Sequence, residues 1–131
     1  MLQADLLPDF DGADTLLLWA DAAGIGELRA AITALSGGDT SHIRIGGEVD
    51  LAISRCEANA PSSTLSRSGE GLEWICSQST LDDAAWLIAA LDDVAAGHQY
   101  VDIRGLAAQA IISKGEYSVR PQPQHGPGKM Q

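Results

Sequence analysis

Residues 97–102 read GHQYVD, and residues 111–117 read IISKGEY. The first stretch follows an acidic segment in which apolar side chains recur every three or four residues, which is typical of one face of a helix. Residues 80–96 are therefore predicted to form a helix that begins with Thr80 as its cap. Residues 98–103 and 107–113 are predicted to form strands. This order of a helix followed by paired strands is the basis of the fold assignment.

The preceding residues extend the same pattern towards the amino terminus. A continuous apolar run over residues 15–20 predicts a strand, and Ile25, Leu28, Ile32 and Leu35 give residues 21–36 one apolar helical stripe. Further strands are predicted in sequence that alternates or is bounded by turn residues, at residues 42–45, 48–55, 65–67 and 72–77. The predicted fold class is α+β: a two-layer sandwich with a mixed or mostly antiparallel sheet of about six strands and both helices on one face.

The length of 131 residues predicts a single globular domain. Residues 15–117 are expected to form this domain. Residues 1–14 carry four acidic residues and no basic one, which predicts a loosely held acidic arm. Residues 118–131 are rich in Pro, Gln and Gly and are expected to be a disordered tail.

The chain is strongly acidic, with 18 Asp and Glu against 8 Lys and Arg and a formal net charge of −10. This charge argues against a nucleic-acid partner and against an anionic membrane surface, since both require a basic footprint. The amino-terminal residues lack the basic segment of a secretory signal, and the sequence predicts a cytoplasmic protein. Cys56 and Cys76 are expected to be free thiols, although a cross-strand pair stays open.

No cofactor, metal or catalytic activity is expected. Gly24 and Gly26 resemble part of a dinucleotide loop, but Arg29 stands where the third glycine is needed. The histidines lack partners at zinc-site spacing. His98 and Asp102 would lie about 13 Å apart along an extended strand, which is too far for a catalytic pair.

Trp86 is the main candidate for partner binding. On a helical wheel it lies opposite the apolar stripe and beside Asp82, Asp83 and Asp93, as an interface tryptophan would. The alternative is that a loop or the amino-terminal arm covers it. With Asp92, these acids form a helix face that has no nearby basic residue in sequence, which favours a basic partner. Trp19 and Trp74 are expected in the core.

The segment from Ser79 to Tyr117, with its acidic helix, GHQYVD and SKGEY, resembles small bacterial immunity proteins of polymorphic toxin systems. In those proteins Leu usually stands where this chain has Val101. The resemblance implies a cytoplasmic protein that binds and neutralises a cognate toxin domain, and His98 and Tyr100 join the candidate binding residues. The motif also admits a structural role, with Gly97 as a left-handed helix stop.

Two other functions stay open. One is a general interaction or accessory domain that forms a homodimer through a sheet edge. The other is a small enzyme or ligand-binding protein. The partner expected from charge and resemblance together is a basic toxin domain.

Overall fold

The computed structural model describes residues 1–10, 12–56 and 63–121. A short 3-10 turn, Leu91–Asp93, follows the second helix. The strands and helices follow one another in this order: β1 (Leu2–Phe10), β2 (Ala13–Ala20), α1 (Ala22–Ser36), β3 (His42–Ile45), β4 (Leu51–Arg55), β5 (Thr64–Ser68), β6 (Gly71–Cys76), α2 (Gln78–Ala90), β7 (Gly97–Val101), β8 (Arg104–Gly105) and β9 (Gln109–Lys114).

The strands form two mixed sheets, one ordered β1-β2-β9-β7 and the other β3-β4-β6-β5-β8. Strands β2 and β9 are parallel, as are β4 and β6, while the hairpin-linked neighbours are antiparallel. The predicted α+β class, with two helices and mixed strand directions, is confirmed. The prediction of about six strands in one sheet is corrected to nine described strands in two sheets. Hairpin signals specify local partners only, whereas β2–β9 pairs residues that are far apart in sequence.

The expectation of a loose arm over residues 1–14 is wrong for most of that segment. Leu2–Phe10 form β1, which pairs antiparallel with β2. Ala4 also binds the turn between β3 and β4, through its N–H to Gly46 O at 2.9 Å. Leu2, Ala4 and Leu6 alternate towards the main core. Leu7 and Phe10 are fully buried on the other face, and they share it although they are three positions apart because the register with β2 shifts between them.

The two helices pack side by side against the sheets. In α1, the predicted stripe of Ile25, Leu28, Ile32 and Leu35 is buried as expected. Asp21 caps this helix by accepting the N–H of Gly24. A Cβ at Gly24 would lie 1.7 Å from Met1 O, so glycine is needed there for the close approach of the Met1 backbone, just before β1.

Helix α2 begins two residues earlier than predicted and ends earlier too. Ser77, rather than Thr80, is its cap: the Ser77 hydroxyl accepts the N–H of Thr80. Asp82 and Asp83 therefore lie in the second turn, beyond the positions where a carboxylate caps a helix. The chain leaves the α-helix at Leu91 through the 3-10 turn, so the predicted helical segment up to residue 96 is too long.

Most of the core is one cluster in which both helices and both sheets take part. A second, smaller cluster lies on the other face of the four-stranded sheet, where Leu7, Phe10, Leu17, Trp19 and Ile111 pack with Tyr117. The predicted burial of Trp19 and Trp74 is confirmed.

The predicted disordered tail lies only partly within the described residues. Residues 118–121 form no helix or strand, yet Arg120 pairs with the buried Asp5 carboxylate of β1. Residues 122–131 lie outside the described part of the chain, and so does His125.

Candidate protein-binding site

Trp86 projects into solvent from the middle of α2. Its side chain is 77% exposed, whereas Ala84 and Ile88 on either side of it are buried. The helical period explains this, because Trp86 lies on the face opposite to the residues that contact the sheets. Among the described residues, neither a loop nor the amino-terminal segment covers Trp86, contrary to the alternative.

A cleft of about 290 Å³ lies beside Trp86, between α2 and β7. Tyr100, 50% exposed, contributes a second large ring. The cleft combines apolar, aromatic and acidic groups, and it is lined by Thr80, Asp83, Trp86, Leu87, Tyr100, Val101 and Asp102. None of these lining residues is basic, and we call this site the α2–β7 cleft.

Three of the six predicted binding residues, Asp83, Trp86 and Tyr100, meet in this cleft. Asp93 lies in the 3-10 turn and is exposed, but it does not line the cleft. It follows Trp86 by seven positions, which corresponds to about 10 Å along a helix. The structure therefore groups only part of the predicted set.

Asp82 belongs to the contact between the helices. Its Oδ1 accepts hydrogen bonds from the hydroxyl of Ser36, at the end of α1, and from Gln78 Nε2. These two donors stabilise the carboxylate and lower the pKa of Asp82. Asp82 thus joins α1 to α2 and stands apart from the α2–β7 cleft.

The expectation that no basic residue offsets the acidic helix face is also wrong. Arg29 of α1 forms an ion pair with Asp92. The two residues are 63 positions apart in sequence, and only the side-by-side helices bring them together. The acidic side chains that line the cleft with Trp86 are therefore those of Asp83 and Asp102.

The SKGEY segment fastens the end of α2 to the four-stranded sheet. Lys114 Nζ donates to Leu91 O and Val94 O, at 2.7 Å each. Leu91 is the C-cap of α2, at the negative end of the helix dipole, and among the described residues its carbonyl otherwise accepts only a long hydrogen bond, 3.4 Å, from Val94 N–H. Val94 directly follows the 3-10 turn. The buried Lys114 ammonium therefore holds the chain as it leaves the helix.

Gly115 completes this connection. Its φ of 71° lies in the left-handed region, and a Cβ would lie 2.6 Å from Ala95 O. Gly97 has no such conformation; it is the first residue of β7 and pairs with Lys114. The suggestion that Gly97 is a left-handed helix stop is therefore wrong, and Gly115 is the motif glycine that needs positive φ.

The SKGEY segment also contacts His98. Its Nδ1 lies 2.9 Å from Glu116 Oε2, while the Ser113 hydroxyl donates to Glu116 Oε1. Ser113 is the cross-strand neighbour of His98. A carboxylate can only accept, so the imidazole donates through Nδ1. On its other side the His98 ring meets Tyr100 edge to face, with centroids 5.6 Å apart. His98 thus supports Tyr100 and does not line the cleft.

The Ser113, Glu116 and His98 cluster lacks the order that activates a serine. In that order the imidazole contacts the hydroxyl, and the carboxylate contacts the imidazole. Here Ser113 contacts the carboxylate and is fully buried. Within the described ranges, no three His, Cys, Asp or Glu side chains are grouped as a metal site would require. No helix of the described residues is long and apolar enough to cross a membrane.

Sequence reasoning missed Asp102, Leu87 and Glu116. Asp102 could have been found, because it follows Tyr100 by two positions and an extended chain places such side chains on one side. Glu116 could not, since its contact with His98 depends on the β7–β9 register and on the turn at Gly115.

Comparison with protein-family models, curated proteins and solved structures finds no match to this chain.

Proposed function

We propose that this chain is an immunity protein: a cytoplasmic binding protein that neutralises a cognate toxin domain through the α2–β7 cleft and the surface around it. The observation that carries this proposal is the exposure of Trp86 at the rim of a cleft that also contains Tyr100. The similarity of GHQYVD and SKGEY to immunity proteins supports the same function.

An exposed tryptophan is informative because of its neighbours. Single exposed apolar residues are ordinary on soluble proteins, and Val119 of this chain is one of them. Trp86 differs because it borders a concave site with a second aromatic ring. Tryptophan and tyrosine in such places are the residues that most often dominate the energy of protein interfaces.

The contacts made by the GHQYVD and SKGEY segments fix the position of Tyr100, which lines the cleft, before a partner binds. Tyr100 contacts His98, and Glu116 holds His98 in place. A side chain that is already fixed before binding loses less conformational entropy when a partner arrives. The GHQYVD and SKGEY segments would then serve binding indirectly, by positioning Tyr100 and by fastening the end of α2.

The net charge of −10 supports a basic partner. Opposite charge accelerates the encounter of two proteins and aligns them before contact. Asp83 and Asp102 would direct this attraction to the cleft itself, since both line it. A toxin domain that acts on nucleic acid would carry the complementary basic surface.

A homodimeric accessory domain is the second candidate. The observation that favours it is that β7 is the last described strand of its sheet, so one edge of Gly97–Val101 has no neighbour among the described strands. Such edges can pair with a second copy. Sedimentation at micromolar concentrations distinguishes the two: a monomer contradicts the homodimer.

Co-expression tests the proposal. The toxin domain to test is the variable carboxyl-terminal domain of any long secreted protein that a gene next to this one is found to encode. Bacteria producing that domain should survive with the wild-type chain and with Val119→Ala, which removes an exposed apolar group elsewhere. Trp86→Ala should weaken binding by about 2 kcal/mol or more and reduce survival. Equal protection by Trp86→Ala, or none by the wild type, would contradict the proposal.

A further inference from the structure

We infer that the α2–β7 cleft binds the guanidinium group of an arginine side chain from the partner. This inference rests on the proposed function, because it names the chemistry that the binding site would recognise. Two carboxylates, those of Asp83 and Asp102, line the cleft, and none of the described residues that line it with them is basic. Both residues are exposed, so an incoming cation could reach them.

The size of the cleft favours a single side chain. Its volume of about 290 Å³ is at the lower limit of pockets that hold drug-sized ligands, which run from roughly 300 to 1,000 Å³. One long side chain inserted from a neighbouring surface needs less space than a complete ligand. The open side of the cleft, beside the exposed Trp86, gives that side chain a path.

The lining matches each part of an arginine. Leu87 and Val101 provide apolar contacts for its methylene groups. The rings of Trp86 and Tyr100 provide π faces, on which a guanidinium stacks. Asp83 and Asp102 provide carboxylates that can accept its N–H groups.

Arginine fits this lining better than lysine does. An ammonium is compact and strongly hydrated, so placing it against aromatic rings costs more desolvation. A guanidinium is planar and weakly hydrated, and it can stack on a ring while its edges donate to carboxylates. The combination of two rings and two acids therefore distinguishes the cleft from a general acidic patch.

The experiment uses the full chain and a small probe, N-acetyl-arginine methylamide, with the citrulline analogue as its neutral, nearly isosteric control. Amide and indole NMR signals are followed during titration. The arginine probe should produce saturable shifts at the Trp86 indole N–H and around Tyr100, with a Kd on the order of 1–10 mM. The citrulline probe should bind about tenfold more weakly, because it lacks the charge.

Variants locate the site. Asp83→Asn with Asp102→Asn should lower the affinity for the arginine probe to that of citrulline. Glu27→Gln with Glu70→Gln changes the net charge equally at exposed positions outside the cleft and should leave that affinity unchanged. Trp86→Leu should abolish the saturable shifts.

Three results would overturn the inference: equal affinity for the two probes, no saturable shift at Trp86 or Tyr100 up to about 100 mM, or equal effects of the two variant pairs. Its failure is distinct from failure of the proposed function. A toxin that binds through Trp86 while the arginine probe does not bind would contradict the guanidinium assignment alone. Arginine binding without toxin neutralisation would contradict the immunity function alone.

Discussion

Two tryptophans show how far position decides the role of a single residue. Trp86 and Trp74 carry the same side chain, but one is exposed on α2 and the other is buried in β6, where its indole N–H donates to Ser63. Burial converts apolar area into folding stability, whereas an exposed ring contributes little until a partner covers it. The same substitution should therefore report on binding at one position and on folding at the other.

Trp86→Ala should change the free energy of unfolding by no more than about 0.5 kcal/mol, because its ring makes few contacts in the folded chain. Trp74→Ala should cost about 3–5 kcal/mol, through lost burial and the cavity it leaves. Urea unfolding followed by circular dichroism measures both. A loss above about 2 kcal/mol for Trp86→Ala would mean that the ring is part of the core after all.

The two cysteines should differ in reactivity. Burial raises the pKa of the Cys76 thiol from 9.0 to about 12, and its contact with Ser63 offsets this only in part. The reactive thiolate is therefore scarce at Cys76 at neutral pH, while Cys56 is only half-buried. Iodoacetamide at pH 8 should label Cys56 in the folded protein and Cys76 only after unfolding, as peptide mass spectrometry would show. Rapid labelling of Cys76 in the folded state would contradict this.

The same pKa predicts a dependence of stability on pH. Between pH 9 and 12 the unfolded thiol loses its proton while the folded one keeps it, so deprotonation favours unfolding. The contribution of Cys76 is complete below pH 9 and decreases as the pH rises towards 12. Cys76→Ala should therefore lose less stability than the wild type between pH 8 and pH 10.

At the level of helices and strands, local patterns predict what an element is better than where it ends. The apolar stripe of α1 and the alternation in β6 depend on neighbouring residues, and both are found as predicted. The end of α2 depends instead on Lys114, which caps it from a strand 20 or more positions away. No helical pattern in residues 80–96 contains that information, so the predicted helix is too long.

Lys114→Met tests the connection between α2 and β9. Methionine keeps most of the apolar stem but leaves Leu91 O and Val94 O without their ammonium donor. Hydrogen bonds to charged groups contribute about 1.5–3 kcal/mol each when a partner is removed, so we expect a loss of at least about 2 kcal/mol. Faster hydrogen exchange should accompany it in residues 91–97.

The control for this change is Arg67→Met, which removes a cation from an exposed position on β5. It should alter the stability by less than about 0.5 kcal/mol. If the two variants were equally stable, Lys114 would not hold the end of α2, and the structural interpretation of SKGEY would fail.

For the whole molecule, the sequence predicts the class of the fold but not the division into two sheets. That division depends on pairings between residues far apart in the chain, such as β2 with β9, which no local sequence pattern specifies. The same holds for the site: the helical wheel identifies Trp86, but the cleft exists because β7 places Tyr100 and Asp102 opposite α2. Long-range contacts also explain why the first and last described segments, predicted to be loose, are held together.

Asp5 and Arg120 provide that contact between the two ends of the described chain. Asp5 is 1% exposed, and Arg120 binds both of its carboxylate oxygens. Removing one partner leaves a buried carboxylate without its cation, so Arg120→Met should cost about 2–4 kcal/mol. Adding Asp5→Asn should recover part of this loss, because the remaining group is then uncharged. A double-mutant cycle measured by urea unfolding checks it, and additive losses would show that the pair is not coupled.

The charge of the whole molecule makes a prediction about the rate of association with a basic toxin. With a net charge of −10, the long-range attraction should raise the association rate at low salt and weaken as ions screen it. Between about 20 and 500 mM salt, the association rate of an inactivated toxin domain should fall about 10- to 100-fold, with little change in the dissociation rate.

Asp83→Asn with Asp102→Asn should lower the affinity more than Glu27→Gln with Glu70→Gln, because only the first pair lines the α2–β7 cleft. Both pairs raise the net charge by the same amount, so their difference separates local recognition from general attraction. An association rate that does not depend on salt would mean that the acidic surface serves solubility, and equal effects of the two pairs would place the contact elsewhere on the molecule.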